Sequence, residues 1–178
     1  ERNEAHKLIE EFMLSANRAV AEEFSKRALP FIYRIHEPPD EESVNDFADF
    51  IATFGIRFTP GGPKSFQEAL ERFDGRPEEK LINHVLLRSM KQAVYSEENL
   101  GHFGLAFEDY THFTSPIRRY PDLVVHRLLK LLMKKAYTKE EQARMEAVLP
   151  VTAVHTSGRE RKAMEAEREI ADLKKCQF

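Results

Sequence analysis

The chain has 178 residues, 42% of them apolar and 32% charged, an ordinary globular composition with room for one domain or two small lobes. Its 30 acids and 27 bases leave a net charge of -3, so nothing global argues for nucleic acid and any such case must rest on local clusters. The lone Cys176 excludes an intrachain disulfide and a cysteine zinc site and suits a reducing, cytoplasmic setting, and no apolar run approaches membrane-spanning length.

No signal peptide opens the chain; "ERNEAHKLIEEF" already reads as helix, the expectation for an internal piece of a longer polypeptide. Apolar residues at Leu8, Ile9, Phe12, Met13, Ala16, Val20 and Phe24 predict a helix from Glu4 to about Lys26. "FIYRIH" (31–36) alternates as a short strand, closed by "EPPDEE". A helix follows from about Glu41 to Phe54 with Gly55 as its cap, then the turn "TPGGP" and the short helix "KSFQEALERF". Residues 78–95 read as one helix with acids in its first turn, and the aromatic-rich residues 102–113 read as extended. Pro121 and Asp122 suit the first turn of a helix whose stripe is Val125, Leu128, Leu129, Leu132 and Met133. "YTKEEQ" restarts a helix, and Pro150 begins or kinks the last one, which runs to about Lys175. With no repeats and no low-complexity segment, the pattern predicts an α+β chain that is predominantly helical, with a few short strands and no complete sheet.

The segment "HFTSPIRRYPDLVVHR" (112–127) sets Arg118 and Arg119 between Pro116 and Pro121. Proline fixes its own backbone and biases the residue before it away from helix, so the arginines sit on a stiff scaffold. A guanidinium fork matches phosphate oxygens two at a time. Thr114 and Ser115 add hydroxyls, and the helix start that follows adds N–H groups and positive potential. Either this is a phosphate site, or one arginine pairs with a carboxylate while the other is solvated.

The segments "HFGLAFEDYTHFTSPIRRYPDLVVHR", "LIEEFMLSANRAVAE" and "LRSMKQAVYSEENLGHFG" closely resemble the catalytic domain of the ribonuclease II and ribonuclease R family of 3′→5′ exoribonucleases, and the paired arginines and "HFGLA" resemble the ribonuclease R branch. The resemblance runs to "AEREIADLKKCQF". It implies that residues 1–178 are the C-terminal portion of a partial RNB-type catalytic domain, acting on single-stranded RNA and releasing nucleoside monophosphates processively. It further implies that Arg118 stabilises the phosphate being cleaved. Arg119 then holds a neighbouring phosphate or a structural carboxylate.

By the same resemblance Glu10, the first acid of "LIEE", recognises a ribose 2′-hydroxyl, and Glu167 of "AEREIADL" approaches the RNA near the scissile end. Helical geometry places Glu10 off the charged face of Lys7, Glu11, Arg18 and Glu22, stacked near Leu14, Asn17 and Ala21. A carboxylate and an amide there need partners, and a ribose hydroxyl would serve Glu10 and Asn17 alike, as would an internal hydrogen bond. Glu167 contacts a sugar, loosens product, or pairs with Arg168 or Lys174. His102 and His112 are read as sugar or phosphate contacts and His126 as a helix-flank residue; Arg88, Lys91 and Tyr95 are backbone contacts or surface. The mixed-charge run "SGRERKAMEAERE" reads as a solvated helix face.

The resemblance also implies magnesium held by an aspartate cluster, because a hard cation wants several carboxylate oxygens. No such cluster is found in the sequence, and no histidine pair has the close spacing of a zinc helix. The expectation is therefore a piece without metal ligands, whose upstream metal-binding half and flanking oligonucleotide-binding modules lie elsewhere. Such a piece would be inactive alone and prone to self-association through exposed apolar surface. The alternative is a non-catalytic RNA-binding or scaffold module of the same fold.

Overall fold

A computed structural model describes residues 3–177. Helices dominate, and the described strands form one two-stranded sheet, which is the predominantly helical α+β class expected. The chain folds into two compact units. The first takes the residues up to Arg34, then Val94–Asn99, then everything from Asp109 on; the second takes Ile35–Ala93 and Leu100–Glu108.

The first unit opens with α1 (Glu4–Lys26), started by a reciprocal cap in which Asn3 Oδ1 accepts the His6 N–H at 3.0 Å and the Asn3 N–H reaches His6 Nδ1. Its later turns bury Asn17, Ala21 and Phe24, with Phe24 stacked on Phe31 at 4.3 Å. The apolar stripe read from the sequence does not stay buried along its length: Leu8, Ile9, Phe12 and Met13 are exposed. Strand β1 (Tyr33–Ile35) pairs with β2 (Val94–Ser96). The other edge of β1 is met by residues 109–113, where the Arg34 N–H donates to the Tyr110 carbonyl at 2.9 Å. The buried Thr111 hydroxyl donates to the Ile32 carbonyl at 2.8 Å. Helix α5 (Tyr120–Met133) buries Pro121, Asp122, Val125 and Leu128, whereas Met133, at the end of its predicted stripe, is exposed. Helix α6 (Lys139–Lys175) is capped by Thr138 and buries Met145, Leu149, Ala153 and Thr156.

In the second unit, α2 (Glu41–Ala52), α3 (Pro63–Glu71) and α4 (Glu79–Ser89) surround Phe47, Ile51, Phe66, Phe73, Ile82 and Leu86. Asp40 caps α2 by accepting the Ser43 N–H at 2.8 Å. His36 ties the unit's loops together: its Nδ1 accepts the Gly104 N–H at 2.8 Å, so the ring proton sits on Nε2 and is donated to the Lys91 carbonyl at 2.7 Å. Only glycine permits this approach, since a Cβ at position 104 would lie 2.8 Å from that nitrogen.

Three expectations are corrected. The helix read over 78–95 ends at Ser89, and 94–96 is the strand β2; helical spacing continues across the break, but pairing with β1 decides the local structure. Residues 102–113 hold a short 3-10 turn, Phe103–Leu105, closed by Ala106 at φ 55. Of the two roles expected of Pro150, beginning the last helix is ruled out, because α6 already starts at Lys139 and Pro150 lies inside it. It removes one backbone donor, and the buried side chains on both sides of it hold the helix continuous.

Candidate nucleic-acid interface

The arginine turn is built around one carboxylate. Asp122, in the first turn of α5, is 0% exposed and accepts three hydrogen bonds: from the Ser115 N–H at 2.7 Å, Arg119 Nε at 2.9 Å and Arg119 Nη2 at 2.8 Å. The Ser115 carbonyl in turn accepts the N–H groups of Arg118 and Arg119 at 3.3 and 3.1 Å. Backbone and side chains thus close the turn on itself, with Pro116 and Pro121 limiting its dihedrals. Arg119 therefore has the structural carboxylate that was one of its two readings. Its neighbour differs. The Arg118 side chain is exposed, and among the described residues no carboxylate pairs with it.

Asn17 fastens this turn to α1. Its Nδ2 donates to the Tyr110 hydroxyl at 3.1 Å, and its Oδ1 accepts the Phe113 N–H at 2.9 Å. At 4% exposure, with both ends of the amide engaged, it positions the strand-like segment 110–113. His126, on α5, stacks its ring on Phe113 at 4.2 Å and places Nε2 2.9 Å from the Phe113 carbonyl. Glu10 lies seven residues before Asn17 on the same helix, about 10 Å along the axis, half-buried.

A concavity of about 820 Å³ opens in front of the turn, within the first unit. Arg118, Arg119, Tyr120 and Pro121 form one side, and α6 forms the other through residues four apart: Val151, His155, Arg159, Ala163 and Glu167. Its remaining wall is held by Arg34, which pairs bidentately with Glu160 at 2.6 and 3.2 Å and lies 4.7 Å over the Tyr95 ring. The Tyr95 N–H donates to Ser157 Oγ at 2.9 Å, and its hydroxyl lies 2.8 Å from His112 Nδ1. Burial pushes the Tyr95 phenol up to about 12. Arg119 and Glu160 are each neutralised by a partner, so the charges facing the cavity without one among the described residues are Arg118, Arg159 and the acid Glu167.

The structure thus brings together Arg118, Arg119 and Glu167 around one cavity, with Thr114 and Ser115 half-buried in the same turn. His102 belongs to the second unit, where its Nδ1 accepts the Leu105 N–H at 3.2 Å. Arg159 and His155 were not singled out from the sequence; the repeat of four along α6 was the available signal. Among the described residues no group of three or more His, Cys, Asp or Glu is placed to hold a metal ion. Among them, too, no helix is long and apolar enough to cross a membrane.

Comparison with known proteins adds four findings. Residues 1–135 match the RNB domain family. Ribonuclease R 1 of Lactococcus lactis is 49% identical over 178 residues, covering 98% of this chain and 22% of that protein, so the chain spans less than a quarter of its length. Among solved structures, Mycoplasma genitalium RNase R in complex with ribose methylated single-stranded RNA superposes with a TM-score of 0.88 at 29% identity, over 95% of this chain and 27% of that one. Yeast Ssd1, a pseudonuclease, superposes with a TM-score of 0.73 at 28% identity, over 85% of this chain and 19% of that one.

Proposed function

Because this chain belongs to the RNB domain family, we propose that it supplies the phosphate-gripping part of a hydrolytic, processive 3′→5′ exoribonuclease that shortens single-stranded RNA to nucleoside monophosphates. One observation carries the reading: of two adjacent arginines, Arg119 is fixed by a fully buried carboxylate while Arg118 faces the cavity with no carboxylate partner among the described residues. In this reading Arg118 neutralises charge that develops on the phosphoryl oxygens as the scissile bond breaks. A donor already in place costs no reorganisation at that moment. Thr114 and Ser115 offer hydroxyls to the same phosphate, Glu10 accepts from the ribose 2′-hydroxyl, and Glu167 approaches the nucleotide being released. His102 is assigned a sugar or phosphate contact.

Metal chemistry is assigned to residues other than those described. Magnesium, when bound, would activate water and share the negative charge. In this reading the chain is the C-terminal portion of a larger catalytic domain, inactive alone, and the exposed Leu8, Ile9, Phe12 and Met13 favour its self-association. The likeness to a pseudonuclease supports a second reading, an RNA-binding module without turnover.

The two readings separate on Arg118→Ala in the complete polypeptide. The enzyme reading expects turnover to fall by orders of magnitude while affinity for single-stranded RNA changes by less than about tenfold. Equal loss of both, or no turnover in the unsubstituted protein, would leave binding alone as the function.

A further inference from the structure

The run "SGRERKAMEAERE" looks in sequence like a solvated, mixed-charge helix face, yet Arg159 within it lines the same cavity as Arg118. Helical neighbours normally neutralise an arginine from three or four positions away. Around Arg159 those positions are His155, Thr156, Lys162 and Ala163, and none is an acid. Other arginines of α6 are placed differently. Arg144 is bonded to Glu141, Arg161 has Glu165 four residues on, and Arg168 has Glu165 and Asp172 within reach. The acid next to Arg159, Glu160, points to Arg34 and is held there bidentately. Arg159 is thus a cation with no ion-pair partner among the described residues, on the cavity side of the helix, one turn from His155 and one turn from Ala163.

From this geometry we infer that Arg159 is a second phosphate-binding residue, gripping a backbone phosphate of the RNA other than the one at Arg118. The cavity is large enough for more than a single phosphate group, and α6 runs along it: four residues advance about 6 Å, so Arg159, Ala163 and Glu167 present cation, spacer and acid in sequence along the wall. A guanidinium on a phosphate reads no base, so this contact adds affinity and register without sequence preference. It acts on binding, where Arg118 acts on the bond that breaks. The inference rests on the cavity being the RNA site.

Binding of a fluorescein-labelled single-stranded oligoadenylate to the 178-residue chain, followed by anisotropy over a series of salt concentrations, tests it. Each phosphate contact to a single strand contributes about 0.7 to the slope of log K against log salt. Arg159→Ala should lower the slope by about 0.7 and weaken binding roughly tenfold at low salt. Arg159→Lys should restore the slope, because the charge returns. Arg168→Ala, on the same helix but outside the cavity lining, should leave it unchanged. A wild-type slope in Arg159→Ala, or an equal drop in Arg168→Ala, overturns the assignment of Arg159 while the cavity reading stands. Failure of the unsubstituted chain to bind the oligonucleotide, or binding untouched by Arg118→Ala and Arg159→Ala together, overturns the cavity reading and this inference with it.

Discussion

Replacing Asp122 by alanine should release the arginine turn and destabilise the first unit by about 3–5 kcal/mol. The figure comes from what the carboxylate does: it is wholly buried and accepts one backbone and two guanidinium hydrogen bonds. Its removal strands the Arg119 side chain, which is only 19% exposed, without a counter-charge, and leaves the Ser115 N–H without its acceptor. That orphaned donor alone costs about 1–3 kcal/mol, and the terms overlap rather than add. Urea unfolding followed by far-ultraviolet circular dichroism reads the loss. At a slope of roughly 2 kcal/mol per molar, the midpoint should fall by about 1.5–2.5 M. Adding Arg119→Met to Asp122→Ala should recover a good part of it, since the second change removes the stranded charge. A loss under about 1 kcal/mol in the single variant, or a double variant worse than the sum of both singles, would refute the argument that this pair holds the turn.

Two further outcomes follow from buried polar groups. Asn17→Ala removes a donor to the Tyr110 hydroxyl and leaves the Phe113 N–H without its acceptor, so thermal unfolding should reveal a loss of about 1–3 kcal/mol; Asn17→Ala with wild-type stability would mean the amide does not tether segment 110–113. Burial pushes Tyr33 and Tyr95 up to about 12 in the folded chain, above the ordinary phenol value of 10.0. The folded state therefore holds these protons longer: stability is full below about pH 10 and is lost as pH climbs towards 12, by roughly 3 kcal/mol for each phenol. The buried Tyr137 phenol is raised in the same way, so in Tyr95→Phe the alkaline loss should shrink by about a third. An unaltered alkaline profile in that variant would count against the burial account.

Local signals carried much of the fold into the sequence, and failed where distant contacts decide. The helical spacing from Glu4 to Lys26 predicted α1, whose bounds are Glu4–Lys26. The same spacing misled over 78–95, because β2 is a strand only by virtue of pairing with a segment some sixty positions earlier. Asn17 was correctly placed on the flank that needs partners, but its partners are 93 and 96 residues away, beyond any window of periodicity. At the arginine turn the sequence left both fates of Arg119 open. The deciding acid, Asp122, stood three positions on, in i,i+3 reach, and only its complete burial shows that the pair is structural and not solvated. Arg159 stayed hidden because a run of alternating charges looks self-neutralising until each residue's neighbours at three and four are inspected.

Under the proposed function, the asymmetry of the two adjacent arginines follows from what each task demands. A group that stabilises charge arising during a reaction gains most when it has no ion pair to break first, and when its backbone is already fixed. A group that fixes the backbone gains most from the opposite state, desolvated and bonded on two edges to a carboxylate that cannot move. Asp122 supplies the second condition to Arg119, and through the Ser115 carbonyl it supplies rigidity to Arg118 without touching the Arg118 charge. Lysine would not substitute at position 119, because a point charge cannot hold both carboxylate oxygens in a fixed plane. Under the proposed function, loss of either arginine would therefore act by different routes, Arg119 through stability and Arg118 through charge, and only a variant that keeps the turn intact isolates the second.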